Sequence, residues 1–404
     1  MSDVTYESEL HLQGKRKDVS DCDLPGSLER RTKNVNLFPS ADPIPLPAPV
    51  WLFKVLHNLT LTLHLAAVEL LLGGLMLGIL LAALGRLRKS QYMVQAGGMI
   101  AHRLPTVMAM LINLGVPPLL FAQVLYGRAL YTSSVLIGAY WISVIFLLMG
   151  SYYGLYYSAK RADARRPWSA TGLAALVLAL TIAFIYTNNM TLMLRPQVWA
   201  EMYRHSPSGV QWNTSDSTVW PRWFFFVFGS FSAAGAGLML LAQRAHFEER
   251  LRRFLFRFGA GALAAGVVFQ VVFARMAIAA QPSGIVTAVM GESIYSLSAY
   301  AWMAAATAAA LIAVWALLSR TPRPIAAMSA ALAVFLNLAA TVMVRDGIRD
   351  VTLRAAGFEV WDRHVVTNWS VVGVFLILFV AALGMLGYLI RVVAKARRIE
   401  ERYA

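Results

Sequence analysis

The chain has one cysteine in 404 residues, Cys22, and this scarcity excludes several kinds of site. A single thiol cannot form an internal disulfide. It also cannot supply the CxxCH motif that attaches haem c, or the ligands of a Cys-based zinc or iron–sulfur site. We therefore expect no haem c on this chain, and any redox cofactor would have to be held by His or Met.

Acidic residues are also scarce, since 21 Asp and Glu stand against 36 Lys and Arg and leave a formal net charge of +15. An excess of this size can indicate a nucleic-acid-binding protein. Here the basic residues lie in short loops between long apolar stretches, where retention of positive loops on the cytoplasmic side and attraction to anionic lipid headgroups explain them. We therefore expect membrane lipid as a partner and no nucleic acid.

Apolar residues make up 58% of the chain, and the mean hydropathy is +0.58. A helix that crosses the hydrocarbon core of a bilayer needs about 20 apolar residues. The sequence contains about nine stretches of that length and so predicts an all-α polytopic membrane protein. The predicted spans are 51–84, 104–126, 134–157, 171–194, 222–242, 258–280, 298–318, 324–344 and 367–391.

Every second loop carries the Lys and Arg residues, beginning with the loop after the first span. The positive-inside rule then puts the C-terminus in the cytoplasm and, with nine spans, the N-terminus outside. Three regions follow from this arrangement. Residues 1–49 are predicted to form a polar, proline-rich arm outside the membrane, 50–392 a helical bundle, and 393–404 a basic cytoplasmic tail.

The ionisable residues within the first span are His57, His64 and Glu69, with Lys54 nearer its outer end. Such residues usually face the interior of a bundle, where a partner or a cofactor compensates them. Helical periodicity puts both histidines on one stripe, two turns apart. Each imidazole is predicted either to hydrogen-bond a neighbouring helix or to ligate haem iron. Glu69 is the only acid deep in a span, and we interpret it as a proton donor, a haem-associated carboxylate or a partner of Arg275.

A run of charged residues is predicted near the outer membrane face. A run of this kind is typical of a solvated surface whose charges pair with one another. Two alternatives are a clamp on haem propionates, which Arg favours through bidentate bonds, and a docking patch for an acidic periplasmic protein. The run consists of Arg275, Arg345, Asp346, Arg349, Asp350 and Arg354.

Two segments resemble subunit I of the cytochrome bd quinol oxidase superfamily. LTLHLAAVELLLGG places His64 where the family has a haem-ligating His, and INLGVPPLLFAQVLYGRALYTSS places Gly115 and Pro117 where the family has a G-x-P element. More weakly, YAWM places Met303 at a low-spin haem methionine, and MVRDGIRD places Arg345 and Arg349 at the outer end of the eighth span. The resemblance implies bound haem b.

The departures from this family matter as much as the matches. Phe226 stands where the family has a haem-ligating His in the fifth span, and the third span, SVLIGAYWISVIFLLMGSYYG, has no acid. The outer loop between spans six and seven is short, which puts the ordinary quinol site in doubt. Classical quinol oxidase activity is therefore not expected.

The resemblance and the departures together imply a haem b-binding electron-transfer subunit in the cytoplasmic membrane of a bacterium. It would exchange electrons with a periplasmic c-type cytochrome or another redox partner, and it would pair with a second membrane subunit. A haem-free anchor or scaffold of a respiratory complex is the alternative. A solute transporter is disfavoured, because neither inverted repeats nor matching broken helices are visible.

Overall fold

The computed structural model describes residues 37–40, 45–244 and 247–403, and these residues form a bundle of helices. Nine of the helices, all except α5 and α8, are long and apolar enough to cross a membrane. The predicted all-α membrane bundle is thus confirmed. The helices are α1 (Val50–Leu87), α2 (Gln91–Leu136), α3 (Gly138–Asp163), α4 (Ser169–Leu192), α5 (Pro196–His205), α6 (Val219–Leu241), α7 (Glu249–Ala279), α8 (Ser283–Gly291), α9 (Ser293–Leu318), α10 (Pro324–Ala355) and α11 (Trp369–Tyr403).

Four helices, α2, α7, α10 and α11, extend well beyond their predicted spans, and α2 and α10 carry residues discussed below. α2 has 46 residues and contains Pro105, Pro117 and Pro118, and its backbone leaves the helical region at Tyr126, with φ −124° and ψ 18°. Each proline removes a backbone hydrogen bond from the turn before it, whereas the break at Tyr126 lies eight residues after Pro118. α10 continues to Ala355, so the charge run of the eighth span is part of a helix.

The helices that carry the polar residues lie at the centre of the bundle. Within the most apolar window of each helix, 56% of the residues of α1, 61% of α6 and 56% of α10 are buried, against 6% for α11. Polar side chains on α1, α6 and α10 therefore meet other helices rather than lipid. This is the environment in which an ionisable side chain needs a partner.

Most of the predicted N-terminal arm, 1–36 and 41–44, lies outside the described residues. Its remaining residues pack against the bundle. The Phe38 ring lies 5.5 Å from that of Trp199 and 5.2 Å from that of Phe358, and the Leu46 amide donates a hydrogen bond to the His364 carbonyl at 2.9 Å. At the other end, the backbone of α11 continues through most of the predicted tail to Tyr403.

Candidate functional site

α1 holds His57 and His64 against backbone carbonyls of α2. The ring atom Nδ1 of His57 lies 3.0 Å from the Pro118 oxygen, and Nδ1 of His64 lies 3.1 Å from the Leu111 oxygen. A carbonyl can only accept, so Nδ1 carries the proton in both rings. In the neutral imidazole this leaves Nε2 of each histidine with a lone pair.

The two histidines differ at Nε2. Arg349 Nη1 lies 3.1 Å from Nε2 of His57 and donates to it, so both ring nitrogens of His57 are occupied. Nε2 of His64 has no hydrogen-bond partner in the described part of the chain. The ring of His64 also lies against Gly115, where an added Cβ would come within 2.9 Å of Cε1. His64 is therefore the histidine with an available ligand atom.

A network of buried charges joins α1 to α10 beside His57. Lys54 Nζ lies 2.9 Å from Asp346 Oδ2 and 2.6 Å from Asp350 Oδ2, and all three residues are at most 4% exposed. Asp346 and Asp350 are one helical turn apart, so both carboxylates face α1. Tyr126 and Tyr295 complete the network.

Two tyrosine hydroxyls lie beside the same carboxylates, and the single proton of Tyr126 can be donated to only one of them at a time. The Tyr126 hydroxyl lies 2.8 Å from Asp346 Oδ1 and 2.9 Å from Asp350 Oδ1, and it accepts a hydrogen bond from Lys54 at 2.6 Å. The Tyr295 hydroxyl donates to Asp350 Oδ2 at 2.9 Å. Arg349 forms a longer ion pair of 3.5 Å with Asp346. Hereafter "the charged network" means Lys54, His57, Tyr126, Tyr295, Asp346, Arg349 and Asp350.

Two further arginines make the surroundings of the charged network positive. Lys54 and Arg349 balance the two aspartates, but Arg222 on α6 and Arg345 on α10 are close enough to Arg349 for their charges to interact with it. Neither forms an ion pair with a carboxylate in the described regions. The Arg345 guanidinium instead lies 4.9 Å from the centre of the Phe226 ring. Among the described residues, Asp216 is close enough to attract Arg222, whereas no acid is close enough to attract Arg345, so the region carries an excess of positive charge.

Glu69 is buried without a partner. Its side chain is 1% exposed, and neither carboxylate oxygen has a hydrogen bond within the residues the structure describes. One turn further along α1, a side chain at Gly73 would collide with the Ser230 carbonyl, so α1 and α6 are in backbone contact there. Arg275, one proposed partner, is exposed on α7 and does not pair with Glu69.

The structure does not bring the other predicted site residues together with His64 in one buried site. The Met303 side chain is 48% exposed on α9 and so points away from the buried core of the bundle. The solvated surface predicted for the charge run is wrong for Asp346, Arg349 and Asp350, which are buried. It is right for Arg354, which is exposed and pairs with Glu292 and Glu359 at 2.7 Å.

The sequence reading missed the partners that α1, α2 and α9 supply to the charged network. In the sequence analysis, Lys54 is placed near the outer end of its span and has no assigned partner, and Tyr126 and Tyr295 are not named as site residues. One signal was available: Lys54 is the only lysine of the apolar helix α1, and a cation within a span usually has an acidic partner, for which α10 offers Asp346 and Asp350. No signal pointed to the tyrosines, because aromatic residues are common throughout the chain.

The described residues contain no group of three or more His, Cys, Asp or Glu side chains that could hold a metal ion. A haem iron needs only one or two axial ligands from the protein, so this finding does not bear on His64. Comparison with known proteins gives no match to a family model and no matching curated protein. The case for a function therefore depends on the geometry of these residues.

Proposed function

We propose that this chain is a haem b-binding electron-transfer subunit of a membrane complex, with His64 as an axial ligand of the iron. The observation that carries the proposal is the state of the His64 ring, with Nδ1 bonded to the Leu111 carbonyl and Nε2 without a partner among the described residues. Histidines that bind metals usually donate their other ring N–H to a carbonyl or carboxylate, which fixes the tautomer and the ring orientation.

The charges near the network also fit such a cofactor. Haem carries propionate carboxylates, for which arginine is the preferred partner because its guanidinium can donate two parallel hydrogen bonds. In the sequence analysis, Arg345 and Arg349 are predicted as possible partners of the haem propionates. The ion pair of Arg349 with Asp346 makes Arg345 and Arg222 the better supported pair.

A bound haem would supply one-electron chemistry, and the residues of the chain would hold and surround it. His64 would bind the iron, and the absent side chain of Gly115 leaves room for the His64 ring. Glu69, five residues beyond His64, is the proposed proton-holding group, because an ionisable residue at this depth usually has a partner or a function. His57 and Met303 are less suited as ligands, the first because its ring nitrogens are occupied and the second because it is exposed.

The partners belong to the same proposal. We place the basic loops in the cytoplasm of a bacterial cell and the charged network near the outer face of its cytoplasmic membrane. A periplasmic c-type cytochrome would exchange electrons at that face, and a second membrane subunit would cover part of the exposed helices. The exposed face of α11 is one such surface, since little of its apolar window is buried.

A haem-free scaffold is the second candidate, and one observation favours it. The charged network satisfies its own charges and joins α1, α2, α9 and α10 without any ligand. A bundle stabilised in this way could serve as an anchor for other subunits of a respiratory complex.

An optical spectrum of the purified protein tests the choice between these candidates. We expect a Soret band and a reduced α-band in the wild type, strong loss of both in His64→Ala, and retention in His205→Ala, an exposed histidine of α5. Equal haem content in the two variants would remove His64 from the site. If the wild-type protein is expressed with haem available and still has no Soret band, the haem-free scaffold is the remaining candidate.

The orientation is tested by labelling single cysteines in a Cys22→Ser background. Ser208 and Ala164 are both exposed, and they lie in the loops after α5 and α3. A membrane-impermeant thiol reagent should label Ser208→Cys in intact cells and should label Ala164→Cys only after the cells are opened. The reverse pattern would put the charged network on the cytoplasmic side.

A further inference from the structure

A polar side chain lies on the outer surface of the bundle in the apolar part of α2. Asn113 is exposed, and the stretch of α2 around it, between Arg103 and Arg128, contains no charged residue. Because a helix rises 1.5 Å per residue, Asn113 lies about 15 Å along the axis from Arg103 and about 22 Å from Arg128. Its amide is therefore at the depth of the lipid chains, where a polar group is costly unless another helix covers it.

The hydrogen bonds of Asn113 differ from those of a buried asparagine in another span. Asn337 on α10 is 3% exposed, and its amide donates to the Trp302 carbonyl of α9 at 3.2 Å. Asn113 Nδ2 donates within its own helix, to the Ala109 carbonyl at 2.8 Å. A side-chain amide has two N–H donors and one acceptor oxygen. The second N–H of Asn113 and its Oδ1 have no partner among the described residues.

Asn113 also belongs to a row of residues with the spacing of a coiled coil. The steps along this row are four, three and four residues, an average of about 3.5, which is the repeat of helices that pack side by side along a common seam. Val116 is 55% exposed and Leu120 54%, and the small side chain of Ala109 permits close approach of another helix. Hereafter "the α2 seam" means Ala109, Asn113, Val116 and Leu120.

We propose that the α2 seam packs against the α2 seam of a second copy of this chain, in a two-fold dimer in which the two Asn113 amides exchange hydrogen bonds. Copies of one chain cross the membrane in the same direction, because the basic loops are retained on one side. The two-fold axis is then normal to the membrane, and the paired helices are parallel.

This geometry selects a second copy as the occupant. In a parallel two-fold pair each seam residue meets its own equivalent at the same depth. An amide is complementary to itself, since the free N–H of each copy can donate to Oδ1 of the other. A single Asn in an otherwise apolar seam also fixes the register of such a pair. The proposal goes beyond the proposed function and does not depend on bound haem.

The test measures energy transfer between two populations of the full-length protein in phosphatidylcholine vesicles. Donor or acceptor is attached at Ser208→Cys in the Cys22→Ser background, since Ser208 is exposed. Transfer should rise with the ratio of protein to lipid. Asn113→Leu should weaken association about tenfold, because each of the two exchanged bonds contributes about a factor of three and lipid covers leucine as well as a helix does. Asn113→Gln keeps an amide and should associate more tightly than Asn113→Leu.

Disulfide crosslinking tests the register. In the Cys22→Ser background, Val116→Cys lies one turn from Asn113 on the seam and should form an intermolecular disulfide on mild oxidation. Val177→Cys is the matched control, because Val177 is 53% exposed on α4, away from the seam, and should remain uncrosslinked.

Three results would overturn the proposal. The first is a wild-type protein that shows no energy transfer at any ratio of protein to lipid. The second is equal association of Asn113→Leu and the wild type, which would place the contact between copies elsewhere. The third is equal crosslinking of Val116→Cys and Val177→Cys, which would mean that the copies collide without a defined interface.

Discussion

Two regions of α1 differ in whether their buried polar groups have hydrogen-bond partners. Around Lys54 and His57, the ammonium group and both imidazole nitrogens have partners on other helices. Two to four turns further along, Nε2 of His64 and both oxygens of Glu69 have no hydrogen bond to any described residue. Hereafter the saturated region is the part of α1 around Lys54 and His57, whose hydrogen-bonding groups have partners. The unsaturated region is the part from His64 to Glu69.

The contrast separates residues whose polar atoms are paired within the bundle from residues whose polar atoms have no partner among those described. Most buried polar atoms in proteins are hydrogen-bonded, so each exception calls for an explanation such as a catalytic role or an unseen water or ion. The charged network needs no such explanation. The stretch from His64 to Glu69 does, and this is why the proposed haem ligand and proton-holding group lie there.

The largest effect is expected from breaking the saturated region. Lys54→Met leaves two buried carboxylates with only Arg349 as a cation, and removal of one partner from a buried ion pair costs about 3–5 kcal/mol of unfolding free energy. Denaturant or thermal unfolding in detergent, followed by circular dichroism, measures the loss. Lys160→Met, which changes an exposed lysine, should have little effect.

A double variant sharpens this prediction. Lys54→Met/Asp350→Asn leaves one carboxylate for Arg349, so part of the lost free energy should return. The same unfolding free energy for Lys54→Met and the wild type would contradict the stabilising role of the network. A double variant clearly less stable than Lys54→Met would contradict it as well, because the two substitutions would then act independently.

A methyl group at Gly115 tests the unsaturated region from the side of α2. Gly115→Ala should push the His64 ring away from the Leu111 carbonyl, cost about 1–3 kcal/mol through overpacking and lower the haem content. Gly261→Ala is the matched control, because a Cβ at that helical position meets nothing within 4 Å and alanine is the better helix former by about 1 kcal/mol. Similar behaviour of both variants would contradict the close contact with His64.

Glu69→Met should change stability in the opposite direction. Replacing a buried polar group that has no partner by an apolar one of similar length removes a desolvation cost of about 1–3 kcal/mol, so the variant should unfold at a higher temperature. Glu201→Met, at an exposed position on α5, should stay within about 0.5 kcal/mol of the wild type. A destabilised Glu69→Met would show that the carboxyl group has a partner and belongs with the saturated region.

The smallest effect is expected at the edge of the charged network. Tyr295→Phe removes one hydrogen bond to Asp350, which keeps its contacts with Lys54, so we expect a loss of about 1 kcal/mol. Tyr300→Phe, an exposed tyrosine on the same helix, serves as the control and should be neutral. Equal unfolding curves for the two variants would mean that the Tyr295 hydroxyl adds nothing to the network.

The number of spans was predictable because it depends on contiguous residues. Each of the nine apolar stretches found in the sequence lies within or largely overlaps an observed helix, and the errors are at the ends, as for α2 and α10. Helix ends depend on capping and on packing by other elements, which a hydropathy pattern does not contain. The short helices α5 and α8 were missed for the same reason, since neither is long enough to give a span signal.

Local composition and helical period are enough to show that this chain is a helical membrane bundle and that α1 carries ionisable residues within its span. Which of those residues are paired depends on the tertiary structure. Lys54 lies 292 residues from Asp346 and 296 from Asp350, and their pairing depends on how α1 packs against α10. The same packing gives Nε2 of His57 a partner and leaves Nε2 of His64 without one among the described residues. The sequence alone does not reveal this difference, because helical periodicity puts both histidines on the same face of α1.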